Sequence, residues 1–204
     1  MRAAAWYFDF VSPFAYICLH RLKELPPDLA IEYRPVLFAG LLNHWGQKGP
    51  AELPSKRRYT YRWSHWWAHS LGIPFRYPAA HPFNPLQHLR LAIAAGCTPQ
   101  AVKLIFEAIW TSGQEATHGF DNLCSQLNVE PAQLVQAKDV LRKNTEEAAA
   151  RGVFGVPSFV VDGEVFWGAD SIGFVKAFLA NPQVLRNAEM QRVDRLPVGA
   201  ARIP

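Results

Sequence analysis

Cysteine is scarce in this chain, and none of it is paired by spacing. Cys18, Cys97 and Cys124 are the only three in 204 residues. Without a C-x-x-C or a Cys/His spacing they offer neither a dithiol centre nor a zinc site, and they read as free, buried thiols. Long apolar runs are also missing, since no stretch approaches the roughly 20 residues of a membrane helix. The first residues lack the basic start, apolar run and small-residue cleavage site of a secretory signal. A soluble, reducing, cytoplasmic setting with no membrane partner is therefore expected. Charged residues make up only 19% of the chain, and the basic ones gather only at Lys56, Arg57 and Arg58, so a nucleic-acid partner is not expected. The net charge of +4 better suits a small anionic substrate, because a few cations concentrate carboxylates near a pocket.

Apolar residues are plentiful. Half the residues are hydrophobic and 13% aromatic, enough for a sizeable core with no tract set aside as linker. Ala3 to Val11 is apolar, then Ser12-Pro13 marks a turn, and Phe14, Ile17, Cys18, Leu22 and Leu25 recur at helical spacing. Pro26-Pro27 ends that helix, and "LAIEYRPVL" (29–37) reads as a second strand, parallel to the first if the helix is a crossover. From Ala39 to about Leu127 the pattern is mostly helical between Gly and Pro breaks. Thr98 is placed to cap one of these helices, with Pro99 in its first turn and Gly113 after its end. Another helix closes near Gly152. Ser158 to Val161, the Asp162-Gly163 turn and Val165 to Trp167 predict a β-hairpin, and a last helix starts near Asp170. No internal repeat is visible.

The order β-α-β, helical section, α-β-β-α is that of a thioredoxin fold with an insertion. In that fold the Ser12-Pro13 turn faces Val156-Pro157, where a proline before a strand invites a cis peptide. Taken alone, Ser12 is a helix cap. His65 and His69 stand at i, i+4 but lack a third ligand and the glutamate of a metalloprotease helix, so no metal is expected. Trp63, Trp66, Trp67 and Trp110 read as core.

The stretches "YFDFVSPFAY", "RPVLFAGLL", "RWSHWWAHSLGIPF" and "RGVFGVPSFVVDGEVFWGAD" resemble the 2-hydroxychromene-2-carboxylate isomerases and the related kappa-class glutathione transferases, over nearly the whole chain. The resemblance implies an α/β, DsbA-like thioredoxin fold: 1–38 and 128–204 form the thioredoxin-like domain, and 39–127 an inserted all-helical domain. Where disulfide oxidoreductases carry C-P-x-C, this chain has Ser12, Pro13, Phe14 and Ala15, which removes dithiol chemistry from that turn.

What the resemblance implies instead is glutathione as cofactor, its thiolate held by Ser12 at a helix N-terminus. It also implies glutathione contacts from Gln47, Lys56, Val156, Ala169, Asp170 and Ser171, where Val156 pairs through its backbone, Asp170 meets the γ-glutamyl ammonium and Lys56 meets a carboxylate. Gln47 stands where kappa-class relatives tend to have asparagine. Read without the resemblance, Lys56 is a solvated surface lysine and Asp170 a second helix cap. Asn43 and His81 are candidates at the second-substrate rim, although a histidine in a Pro-rich loop has by itself no catalytic meaning. The implied reaction converts 2-hydroxychromene-2-carboxylate to trans-o-hydroxybenzylidenepyruvate by reversible thiolate addition, in aromatic (naphthalene-type) degradation, within a homodimer. A transferase that conjugates glutathione to electrophiles and a non-catalytic thioredoxin-fold binding module are the alternatives.

Overall fold

A computed structural model describes residues 2–200. Its sheet is built from β1 (Ala3–Phe8), β2 (Ala30–Pro35), β3 (Ser158–Val161) and β4 (Glu164–Trp167) in the order β2-β1-β3-β4. β1 and β2 run parallel, Ala3 opposite Ala30, while β3 is antiparallel to both β1 and β4. The helix α1 (Pro13–Arg21) crosses between the parallel strands, followed by α2 (Phe38–Trp45), α3 (Pro54–Ser70), α4 (Leu86–Ala94), α5 (Pro99–Ser112), α6 (Phe120–Gln126), α7 (Pro131–Ala150), α8 (Ile172–Ala180) and α9 (Ala188–Val193). No helix among the described residues is long and apolar enough to cross a membrane.

β1 is buried on both faces, which explains why it reads as a nearly continuous apolar run. Ala4, Trp6 and Phe8 enter one cluster with Ala15, Tyr16 and Cys18 of α1, Phe106 of α5 and Ile172 of α8. Ala5 and Tyr7 point the other way, into a smaller cluster with Leu41 of α2 and Ala148 of α7. Phe159 and Val160 on β3 divide in the same way. The period-2 alternation thus serves two cores.

Thr98 Oγ1 accepts from the Ala101 amide, Pro99 opens α5 and Gly113 ends it in a left-handed conformation (φ 74°). The hairpin turn has positive φ at both Asp162 (50°) and Gly163 (88°), the conformation that such a dipeptide favours. The first strand is shorter than predicted, stopping at Phe8 rather than Val11, because the Asp9 carboxylate accepts from the Val11 amide at 3.0 Å and turns the chain. The tryptophan expectation needs correction. Trp110 is fully buried, but Trp63 and Trp66 are exposed and stack on each other at 5.2 Å. The buried residues of α3 are Ser64 and Ala68, a narrow i, i+4 stripe that leaves those two indoles outside. All three cysteines are free, Cys18 buried and the other two partly exposed.

Candidate active site

Ser12 sits between β1 and α1, almost fully buried. It is the N-cap of α1, with extended backbone (φ −90°, ψ 116°), and its Oγ accepts from the Ala15 amide at 3.2 Å. Its hydroxyl proton points toward the Val156 carbonyl at 3.5 Å, a separation at which an O–H···O bond has little strength. The cap therefore uses an acceptor lone pair and leaves the donor nearly free. Behind it, Pro13 has no N–H and α1 has no acidic residue in its first turn, so the positive helix end is not neutralised from within its own helix.

Opposite Ser12, the Val156-Pro157 peptide is cis, as expected, and Val156 is buried. Pro157 O accepts from the Gly168 amide at 2.8 Å, joining this turn to the short 3-10 segment Ala169–Ser171. Arg21 at the far end of α1 donates to Ala169 O at 2.7 Å. Ala169 is buried, and Ser171 Oγ donates to Gly168 O at 2.7 Å. Asp170 lies inside that turn rather than at a cap position; the residues at the cap positions are Gly168 and Ser171. Its carboxylate is exposed and, among the described residues, takes no hydrogen bond or ion pair.

Four further candidates are spread over neighbouring elements. Asn43 on α2, Gln47 just after it and Lys56 in the first turn of α3 are exposed, and their side chains make no hydrogen bond or ion pair among the described residues. His81 differs. It lies in the α3–α4 connection, with Nε2 2.8 Å from Val11 O and Nδ1 2.7 Å from the Tyr61 hydroxyl. Ser12 and Val156 are thus brought together directly, His81 joins them through Val11, and the other polar candidates keep their charged or amide ends available to a ligand. A cavity of about 440 Å³ elsewhere, between α2, α4 and α7, is lined by residues such as Leu37, Arg90 and Lys138 and by none of these.

The sequence reading missed Asp9. It is fully buried, and its two oxygens accept from the Val11 amide (3.0 Å) and the Phe38 amide (2.8 Å), tying the Ser12 turn to the start of α2. Burial pushes its carboxyl up to about 7 against the pull of those amides. Trp110 Nε1 donates to Phe10 O at 3.0 Å, so the loop 9–12 is bonded from α2, α5 and the α3–α4 connection. "DFVSP" carried one available signal, an aspartate directly after an apolar strand.

The four-stranded sheet, the cis-proline turn and the helix end facing it define a thioredoxin-fold protein that lacks the cysteine pair. More narrowly, residues 5–180 match the DSBA-like thioredoxin domain, and the chain belongs to that family. It is 29% identical over 192 residues to a 2-hydroxychromene-2-carboxylate isomerase of Sphingobium xenophagum, covering 85% of this chain and 96% of the relative. It is 26% identical over 212 residues to glutathione S-transferase kappa 2 of Caenorhabditis elegans, covering 89% and 93%. Among solved structures, a 2-hydroxychromene-2-carboxylate isomerase superposes with a TM-score of 0.73 at 24% identity, covering 92% of this chain and 98% of that one.

Proposed function

We propose that the protein is a glutathione-dependent isomerase acting on 2-hydroxychromene-2-carboxylate or a close relative of it, giving the trans-benzylidenepyruvate product. The observation that carries the reading is the Ser12 hydroxyl proton, left nearly unbonded at a helix N-terminus whose first turn holds no acidic residue. Glutathione, when bound, supplies a thiolate nucleophile that is returned unchanged. Ser12 donates a hydrogen bond to the sulfur and the α1 end adds its positive field. Val156 offers its backbone to the cysteinyl segment, Asp170 holds the γ-glutamyl ammonium, and Lys56 and Gln47 hold the carboxylate end. Asn43, exposed on α2, meets the second substrate in this reading. The similarity to named isomerases supports this outcome.

The similarity to kappa-class transferases favours a second reading, in which glutathione is consumed by conjugation. Following free glutathione during turnover decides between them: a constant level is expected, and stoichiometric loss refutes the isomerase. The Ser12→Ala variant is expected to bind glutathione within a few-fold of wild type and to lose about 100-fold in turnover, the cost of one hydrogen-bond donor aimed at developing charge. Unchanged turnover on the isomerase substrate would refute the role of Ser12.

A further inference from the structure

The Val11–Ser12 peptide is pinned on both edges. Its N–H donates to Asp9 O at 3.0 Å, and its carbonyl meets His81 Nε2 at 2.8 Å. A carbonyl can only accept, so Nε2 must carry the proton. The ring is partly buried, and burial holds its pKa below the usual histidine value. Nδ1 and the Tyr61 hydroxyl are bonded at 2.7 Å. That same hydroxyl also lies 2.7 Å from His81 O. Tyr61 thus bonds to both the ring and the backbone of one residue, which fixes the ring's direction. Aromatic rings surround the imidazole: Tyr77 and Phe83 meet it edge-on at 5.4 and 6.1 Å, and Trp110 lies tilted at 5.7 Å. No carboxylate bonds to the ring among the described residues, where its polar contacts are the bonds to Val11 and Tyr61.

We infer that His81, oriented by Tyr61, is a positioning residue for the Ser12 turn: the segment between α3 and α4 sets the direction of the Val11–Ser12 peptide, and with it the aim of the Ser12 hydroxyl. This goes beyond a place for His81 at the substrate rim, because both ring nitrogens already have protein partners. Its catalytic consequence rests on the glutathione reading of Ser12; the positioning itself does not.

Two amide variants separate the ring's bonds. His81→Gln can put an amide N–H where Nε2 stands, whereas His81→Asn reaches only the Nδ1 position and keeps the Tyr61 contact without the one to Val11. Hydrogen exchange of the Ser12 amide is measured on each folded protein, with the Trp6 and Phe8 amides as core references. Exchange at Ser12 is expected to rise about tenfold in His81→Asn, the factor that one lost net hydrogen bond carries, while His81→Gln stays within about threefold of wild type and the core amides do not move. Equal Ser12 protection in both variants, or Ser12 exchange that only follows the core amides, overturns the proposal. If His81→Asn does not fold, Tyr61→Phe replaces it: more exchange at Ser12 than in His81→Gln supports the relay, and the reverse order overturns it.

A second readout addresses catalysis. Titration of the thiol of bound glutathione by its ultraviolet thiolate absorbance is expected to show a higher pKa in His81→Asn and a value near wild type in His81→Gln. A wild-type protein that takes up no glutathione would refute the functional reading, and the exchange result would still decide the positioning.

Discussion

Asp9 gives the sharpest quantitative prediction. Its carboxyl is fully buried and pushed from 3.8 up to about 7, with burial the leading cause and the Phe38 and Val11 amides opposing it. A carboxyl with a raised folded pKa binds its proton more tightly in the native state. Its contribution to stability is full below the unfolded value of 3.8 and is lost as pH rises through about 7. Between pH 5 and pH 8 the native protein releases this proton over about two decades, which costs about 2.5 kcal/mol of stability. Asp9→Asn cannot titrate and isolates this contribution, since other pH-dependent groups are common to both proteins. Urea unfolding at the two pH values gives the stability of each. The advantage of wild type over Asp9→Asn should shrink by about 2.5 kcal/mol from pH 5 to pH 8. The asparagine also sets an NH₂ against one of two backbone donors, a fixed loss of about 1–3 kcal/mol that does not vary with pH. A wild-type advantage that is the same at both pH values would refute the raised pKa, whatever its size.

His88 shows the opposite sign. It is fully buried among Phe10, Phe83 and Phe120, and burial lowers its pKa from 6.5 to about 4, partly offset by the Ala116 backbone. The stability that it contributes is present above pH 6.5 and lost as pH falls through about 4, amounting to about 3 kcal/mol; His88→Phe should flatten that part of the acid limb in urea titrations, and an unchanged limb would contradict the assignment. Gly168 has φ 98° and ψ 152°, in a region that only glycine occupies freely, and a Cβ there would meet Asp170 Oδ1. Gly168→Ala should cost about 2 kcal/mol in thermal or urea unfolding and weaken glutathione binding by moving Asp170; loss of stability without loss of binding would remove Asp170 from the glutathione site. Trp110→Phe keeps most of the buried ring but loses the bond to Phe10 O, an expected cost of about 1–3 kcal/mol for the carbonyl left without its donor; no change in unfolding midpoint would show that the carbonyl finds another partner.

The features legible in the sequence are those whose cause lies within a few residues. Thr98 with Pro99, Asp162 with Gly163, and Ser12 with Pro13 each act on the backbone one to three positions away, so their types and spacing suffice to place them. The loop that carries Ser12 is held by partners 29, 70 and 100 residues distant: Phe38 to Asp9, His81 to Val11 and Trp110 to Phe10. Nothing in the local pattern of a Pro-rich loop distinguishes a histidine that reaches a backbone carbonyl from one that does not. The exposed Trp63 and Trp66 show the complementary failure, because hydrophobic character alone does not say which side of a helix finds a neighbour.

If the Ser12 turn holds a glutathione thiolate, as proposed above, two electrostatic features of the turn act on it. An unperturbed thiol titrates near 8.5, and a group that is to be mostly thiolate at neutral pH must come down by about two units, close to 2.7 kcal/mol. A helix N-terminus in a partly buried setting contributes at most about 2 kcal/mol. A hydrogen bond from Ser12 to an anion adds about 1.5–3 kcal/mol, so the bond alone reaches the requirement only at the top of its range and the helix end makes up the difference below it. That hydroxyl contributes only if it is not already spent. The 3.2 Å bond from Ala15 uses its oxygen as an acceptor, while the 3.5 Å approach to Val156 leaves its proton nearly uncommitted. Capping the helix and holding a thiolate are therefore compatible duties of one side chain, each drawing on a different end of the O–H bond.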